Sequence, residues 1–281
     1  MPLNIAPEPA PLTRRTVLAV LAGSKMAAAQ SPAGGQTLDR RGMRATFADE
    51  FRQFDASPTG YIDGRKTWRT TYFGGDRTLP NNHETQWYGD TGPEGSFSLG
   101  PNGLSIRAFP KTGLPNGLTH CSGLITTQRT LTQLHGYFEI RARLPRGKGM
   151  WPAFWLLPDN GQWPPEIDVM EMLGDAVSTY YVAVHAVPDG KPLDEVTKVN
   201  APDLTAGFHV FGVAWRANRL SFYLDDRLVH ESQTPRGLDR PMYMLANLAV
   251  GGAGSWPGPA LPDATGVFQI GWMRAWQFGD G

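Results

Sequence analysis

Residues 137–144 read Tyr-Phe-Glu-Ile-Arg-Ala-Arg-Leu, a stretch in which apolar and polar side chains alternate. Successive side chains of an extended strand point to opposite faces. Phe138 and Ile140 would therefore face a core, while Glu139 and Arg141 would lie on the other face. This stretch predicts a half-buried β-strand, and other parts of the chain repeat its pattern.

Two later runs alternate in the same way. Residues 209–230 do so around turns at 217–218 and 225–226, which predicts two linked hairpins, and residues 268–277 place the C terminus in a sheet. Gly and Pro are frequent, at 33 and 24 of 281 residues, and no long run has apolar residues at helical spacing. We expect an all-β fold, a jelly-roll sandwich of two curved antiparallel sheets with an open concave cleft.

The composition excludes several classes of protein. Hydrophobic residues make up 41% of the chain, enough for one large core. The formal net charge is zero and no Lys/Arg cluster lies beside aromatic residues, which argues against nucleic-acid binding. Cys121 is the only cysteine, so an internal disulfide and a thiolate zinc site are excluded. We expect a monomer.

The N-terminal segment predicts export. Thr13-Arg14-Arg15 precedes a short apolar run, and Ala27-Ala28-Ala29 offers small residues for cleavage. We expect residues 1–29 to be a cleavable signal of the twin-arginine type and the protein to be periplasmic or secreted; the alternative is a disordered cytosolic tail. The apolar run is too short to span a membrane. Residues 30–43 are assigned to a flexible linker and residues 44–281 to a single domain.

Three acids lie close together in an apolar segment. Residues 164–174 read Pro-Pro-Glu-Ile-Asp-Val-Met-Glu-Met-Leu-Gly. Glu166 and Asp168 share a face of a regular strand, but Glu171 has the opposite parity and would point away. One extra residue in a bulge, at Val169 or Met170, would bring Glu171 to the face of the other two.

Such a cluster has chemical consequences. Three carboxylates on one face repel each other, so the proton affinity of one must rise, which is how a general acid stays protonated near neutral pH. Glu166 and Glu171 would then divide into a general acid and a base or nucleophile. The alternatives are a solvated acidic strand and a cation site, but the apolar neighbours indicate a buried strand.

This segment resembles the signature Glu-x-Asp-x-x-Glu of glycoside hydrolase family 16. Further segments follow the family's order over roughly residues 44–278, namely Phe47-Ala48-Asp49-Glu50-Phe51, Asn81-Asn82-His83-Glu84, Ser122-Gly123-Leu124-Ile125-Thr126, Gly136-Tyr137-Phe138-Glu139, Trp151-Pro152-Ala153-Phe154-Trp155 and Asn247-Leu248-Ala249-Val250-Gly251-Gly252. The resemblance implies that Glu166 is the nucleophile, Glu171 the acid/base and Asp168 an auxiliary residue.

The resemblance also implies an activity. We expect a retaining endo-β-glycanase that hydrolyses a β-1,3 or mixed β-1,3/1,4 glucan-type polysaccharide, and residues 159–169 look most like depolymerases of a succinoglycan-type exopolysaccharide. The alternatives on the same fold are a non-catalytic β-glucan-binding module and a transglycosylase. Retention requires the two carboxyl groups to lie about 5 to 5.5 Å apart, so the side chains of Glu166 and Glu171 must lean together.

Aromatic and polar residues complete the predicted cleft. Sugar rings stack on aromatic faces, so Trp151 and Trp155 are candidates, although each could equally belong to the core. By resemblance Trp256 lines the cleft and His185 lies near the acids, with a core or edge histidine as the alternative. Asn82, Glu84 and Arg77 resemble a rim that bonds sugar hydroxyls, or they form a capped turn.

No cofactor is expected. Some members of the family hold a structural calcium through an Asp in the final strand, but Gly271 stands at the matching position here. This departure argues against calcium, and we predict no metal.

Overall fold

The computed structural model describes residues 36–93 and 95–279, together with the backbone of Ala27–Ala28. Within these residues the chain is almost entirely β-structure, and its three short 3-10 helices are Pro80–Asn82, Pro115–Gly117 and Pro188–Gly190. None of the described helices is long and apolar enough to cross a membrane. The strands, in chain order, are β1 (Ala27–Ala28), β2 (Arg44–Asp49), β3 (Ala56–Ser57), β4 (Tyr61–Ile62), β5 (Arg65–Lys66), β6 (Trp68–Arg69), β7 (Gln86–Tyr88), β8 (Phe97–Gly100), β9 (Gly103–Pro110), β10 (His120–Ser122), β11 (Leu124–Thr126), β12 (Gly136–Arg143), β13 (Met150–Pro158), β14 (Glu166–Glu171), β15 (Thr179–Ala186), β16 (Leu193–Asn200), β17 (His209–Trp215), β18 (Arg219–Leu224), β19 (Arg227–Gln233), β20 (Met242–Val250) and β21 (Gly266–Gln277).

Two large sheets form the molecule. The inner sheet has the order β1-β16-β15-β14-β13-β20-β11-β6-β3. The outer sheet has the order β19-β18-β17-β12-β21-β9-β10-β7, with β2 paired to β21 and β8 paired to β9. Neighbouring strands are antiparallel except for β1 with β16, β3 with β6 and β7 with β10. The prediction of a two-sheet antiparallel sandwich is confirmed.

The core lies between the two sheets and follows the predicted alternation. Phe138, Ile140 and Ala142 on β12 are fully buried in the same cluster as Phe154 and Leu156 on β13. Full burial of a large apolar side chain stabilises the fold by about 1.5 to 3 kcal/mol. One face of β13 and β20 is thus held in the core. The other face lies on the concave side of the inner sheet and forms the floor of the cleft.

The N-terminal strap, residues 36–43, packs on the outer sheet, although the sequence assigns it to a flexible linker. The Leu38 amide donates to the Asp226 carbonyl at 2.8 Å, and the Leu38 side chain is buried. Arg40 forms 2.7 Å ion pairs with both Glu139 and Asp226. The predicted export signal lies outside the described residues except for Ala27–Ala28, whose backbone pairs with β16.

The partnership of Arg40 with Glu139 explains why an acid can lie inside the outer sheet. Glu139 is 1% exposed, and burial raises its pKa even though the Arg40 charge opposes that change. The Arg40 guanidinium also lies 5.5 Å from the centre of the Tyr137 ring and 5.8 Å from that of Trp276. Arg40 thus fastens the strap to the sheet by charge and by cation–π contact.

We predict that Arg40→Gln lowers the free energy of unfolding by about 2 kcal/mol, because it leaves the Glu139 carboxylate buried without its cation. Urea unfolding at neutral pH measures the change. Adding Glu139→Gln should restore part of the loss, since the unpaired charge is then gone. Equal stability of Arg40→Gln and the wild type would contradict the role given to this ion pair.

Candidate active site

Strand β14 contains a bulge, as predicted from the odd spacing between Asp168 and Glu171. Trp155 on β13 lies opposite Asp168, and Phe154 lies opposite Met170, so Val169 is the additional residue. The pairing of β14 with β15 shifts over the same interval. Val169 and Met170 both enter the core, although neighbouring residues of a regular strand point to opposite faces.

The bulge brings the three acids to the concave face. Asp168 lies opposite Trp155 and Glu171 lies opposite Ala153, two residues away on the same face of β13. Glu166 and Asp168 are 3% and 2% exposed, whereas Glu171 is half-buried. The sequence prediction that one inserted residue unites these carboxylates is confirmed by this register.

Two indole rings fix the two glutamates. Trp163 Nε1 donates to Glu166 Oε2 at 2.7 Å, and Trp151 Nε1 donates to Glu171 Oε1 at 3.0 Å. The sequence predicted Trp151 as a cleft residue, but it did not single out Trp163. The only signal in the sequence was a Trp three residues before Glu166, and its bond to the carboxylate depends on the path of the turn between them.

His185 joins the acids from the neighbouring strand. On β15 it lies opposite Glu166 on one side and opposite Asp194 of β16 on the other. Its Nε2 is 3.3 Å from Asp168 Oδ2, and its Nδ1 is 2.6 Å from Asp194 Oδ1. Burial by itself lowers the pKa of His185, but Asp168 and Asp194, helped by Glu166, hold that pKa well above its usual value.

His185 is therefore an imidazolium at neutral pH. Its positive charge lies within an otherwise acidic group and offsets the cost of burying Asp168 there. The prediction that His185 lies near the catalytic acids agrees with this position. Asp194 was missed, because nothing in its own sequence neighbourhood shows that it reaches His185.

Aromatic rings meet at the Glu171 end of β14. The Trp256 ring is 5.5 Å from Trp151 and 4.7 Å from Tyr181, centre to centre, and both contacts are edge-on. Tyr181 lies opposite Glu171 on β15. Trp256 is half-buried, so part of its ring stays accessible. This agrees with the prediction that Trp256 lines the cleft.

Trp155 has a different environment. It is 3% exposed, and its Nε1 donates to Asn247 Oδ1 at 2.7 Å, while Asn247 Nδ2 donates to the Tyr88 hydroxyl at 2.9 Å. Burial, together with Tyr72 and Glu84, raises the pKa of Tyr88 well above its usual value, so the hydroxyl stays neutral. This network orients the floor of the cleft and leaves little of the Trp155 ring for stacking on a sugar.

The predicted polar rim is largely occupied by its own contacts. Glu84 accepts hydrogen bonds from the Leu79 amide and the Asn82 side chain, and both Asn82 and Glu84 are buried. Arg77 donates to the Tyr88 carbonyl and pairs with Asp90, each at 2.7 Å. This arrangement favours the capped-turn alternative, in which these residues support the wall of the cleft.

One cluster within the site has the side chains of a cation site. Oxygen and nitrogen atoms of Glu166, Asp168 and His185 lie within 4.8 Å of one another. A protonated His185 cannot offer a lone pair, so its raised pKa works against metal binding near neutral pH. At Gly271, the position compared above with a calcium-binding Asp, an added Cβ would lie 2.7 Å from Arg141 Nη1, so a guanidinium occupies that neighbourhood.

Comparison with known proteins agrees with this geometry. The sequence model of the glycosyl hydrolases family 16 matches residues 96–274. The chain is 38% identical over 251 residues to ExsH, an endo-1,3-1,4-beta-glycanase of Rhizobium meliloti, covering 85% of this chain and 53% of that protein. It is also 38% identical over 235 residues to EglC, another endo-1,3-1,4-beta-glycanase of that organism, covering 80% and 50%.

A solved structure shares the fold. The laminarinase catalytic domain of Thermotoga maritima superposes with a TM-score of 0.69 at 26% identity, over 85% of this chain and 99% of that one. The chain spans about half the length of the two Rhizobium relatives. The bulged three-acid strand, the sandwich and the extent of these matches together show that the chain belongs to glycosyl hydrolases family 16.

Proposed function

We propose that this protein is a retaining endo-β-glycanase that hydrolyses a β-1,3 or mixed β-1,3/1,4 glucan-type polysaccharide. The observation that carries the proposal is the bulge at Val169, which places Glu166, Asp168 and Glu171 together on the concave face. The relatives named as endo-1,3-1,4-beta-glycanases support this substrate class. A succinoglycan-type exopolysaccharide is the narrower candidate.

The mechanism proceeds by two displacements. Glu166 attacks the anomeric carbon while Glu171 protonates the glycosidic oxygen, and the bond between that carbon and oxygen breaks. Glu171, now a carboxylate, then removes a proton from water, whose oxygen replaces Glu166 on the anomeric carbon. Each step inverts the configuration at the anomeric carbon, so the two together retain it.

The surrounding residues tune this chemistry. The Trp163 indole fixes the orientation of the Glu166 carboxylate through its 2.7 Å hydrogen bond. His185, held between Asp168 and Asp194, places a positive charge beside the carboxylate of Asp168. Because that cation also lies close to the nucleophile, it offsets the repulsion among the carboxylates on this face.

The site of action follows from the size of the substrate. An enzyme that depolymerises an extracellular polysaccharide has to be exported to reach it. We therefore propose that residues 1–29 direct the protein to the periplasm or the medium by the twin-arginine route, on the strength of Arg14-Arg15 before the apolar run.

Substitution of either glutamate tests the proposal. We predict that Glu166→Gln and Glu171→Gln each lower kcat on laminarin by at least ~10³-fold, because each removes a group that acts in the transition state. Reducing-end release from laminarin, mixed-linkage glucan and succinoglycan measures activity, and NMR of early products should show the β-anomer. The matched control is Glu195→Gln, at an exposed acid on β16.

The outcomes of this experiment separate the alternatives. Binding of glucan without hydrolysis by the wild type would favour a non-catalytic module. Products longer than the substrate would favour a transglycosylase. Full activity of Glu166→Gln would contradict its assignment as the nucleophile.

We predict that Trp163→Phe lowers kcat roughly tenfold and changes KM little, because phenylalanine keeps a ring but lacks the N–H that orients Glu166. Steady-state kinetics on laminarin provide the measurement. Trp272→Phe, at a half-buried Trp on β21, is the control for loss of an indole elsewhere. An unchanged kcat for Trp163→Phe would show that the hydrogen bond does not contribute.

A substitution at Asp194 tests the role of the charged His185. Asp194→Asn removes one of the charges that raise the pKa of His185, so that pKa should fall. The charged form of His185 is present below its pKa and lost as pH rises through it. We therefore predict that the alkaline limb of the kcat/KM profile moves to lower pH. A uniform fall in rate without this shift would indicate a merely structural role for Asp194.

A further inference from the structure

A cavity of about 1000 Å³ lies beside the catalytic cleft and contains none of its carboxylates. Gly251 and Gly252, which directly follow β20, line it together with Thr85, Pro259 and Ala260. The cleft loop, residues 251–260, thus carries Trp256 toward the catalytic acids and forms a wall of the cavity. One segment of chain therefore contributes both to the cavity and to the aromatic group beside Glu171.

The cavity carries positive charge. Arg107 and Lys111 line it, and none of the described lining residues is an acid. Neither cation forms an ion pair within the part of the chain that the structure describes, whereas Arg77, Arg146 and Arg274 each pair with a carboxylate. Two cations in one concave site that has no acid among its described lining residues favour an anionic ligand.

The remaining lining suits a sugar. The Arg107 guanidinium lies 4.4 Å from the centre of the Phe109 ring, which holds its charge over an apolar surface that Leu118 and Pro110 extend. His120 is buried and its Nδ1 is 2.9 Å from Thr119 Oγ1. Burial lowers the pKa of His120, so this residue contributes hydrogen bonding and no charge at neutral pH.

The volume is that of a ligand site. Small-ligand cavities commonly span roughly 300 to 1000 Å³ and combine apolar walls with a few polar groups. This one combines apolar faces, threonine hydroxyls and two cations. Carboxylate-bearing sugars offer the complementary groups, since their C–H faces pack on apolar walls while the carboxylate pairs with Arg or Lys.

We propose that this cavity is an accessory subsite that binds a carboxylate-bearing sugar unit of the polysaccharide whose backbone lies in the cleft. The inference rests on the proposed function and extends it, because it assigns an acidic glycan as the preferred substrate. Because the cleft loop contributes to both places, a branch or a neighbouring unit of one polymer is the part assigned to the cavity.

Binding to a charged and a neutral glucan tests the subsite. The probes are carboxymethylated β-1,3-glucan and laminarin, titrated into full-length Glu166→Gln protein so that neither is consumed. Adding Arg107→Gln with Lys111→Gln should raise the Kd for the carboxymethylated glucan roughly fivefold, equivalent to ~1 kcal/mol. The salt dependence of that Kd should also become smaller. The Kd for laminarin should change by less than about twofold. Thermal unfolding verifies that the variant is folded.

The matched control removes the same two charges elsewhere. Arg227→Gln with Arg240→Gln alters two exposed arginines outside the cavity, and it should leave both Kd values near those of the parent protein. The subsite is overturned if the control raises the Kd for the charged glucan as much as Arg107→Gln with Lys111→Gln does. It is also overturned if the cavity variant raises the Kd for both glucans equally, or changes neither Kd. Hydrolysis of laminarin by the wild type tests the proposed function separately, so the two ideas can fail independently.

Discussion

The active site depends on one inserted residue in a buried strand. A regular β14 would send Glu171 into the core with the apolar side chains of the sandwich, where a carboxylate is costly to bury. Because Val169 is inserted opposite Phe154, Val169 and Met170 take the core positions together and Glu171 turns to the cleft. The same core that stabilises the sandwich thus enforces the geometry of the acids, since reversing the bulge would expose apolar side chains and bury charge.

Charge balance is the second constraint on the concave face. Glu166 and Asp168 are almost completely buried on neighbouring positions of one face, where their negative charges repel each other. The His185 imidazolium opposes this, and Asp194 in turn supports the imidazolium from the far side. Glu166, His185 and Asp194 therefore form a row across β14, β15 and β16 in which the charges alternate in sign. Each charge is next to an opposite charge on the neighbouring strand.

The sequence predicted features set by local alternation and missed those set by register. The strand at 137–144 and the bulge at Val169 follow from side-chain parity along one segment. Asp194 reaches His185 only because the β15–β16 hairpin has one particular register, which residue spacing does not determine. Similarly, the positions of Asn82 and Glu84 suited a rim or a turn equally well, and only the path of the chain shows that they bond each other.

The cleft loop shows how little freedom the backbone has beside the site. A Cβ on Gly252 would lie 2.7 Å from the His83 carbonyl oxygen, and one on Gly251 would collide with the Gly258 carbonyl and the Ser255 hydroxyl. Glycine is therefore needed at both positions for the chain to pass this closely. The same tight turn carries the Trp256 ring and forms a wall of the neighbouring cavity, so a shift of its backbone would displace both.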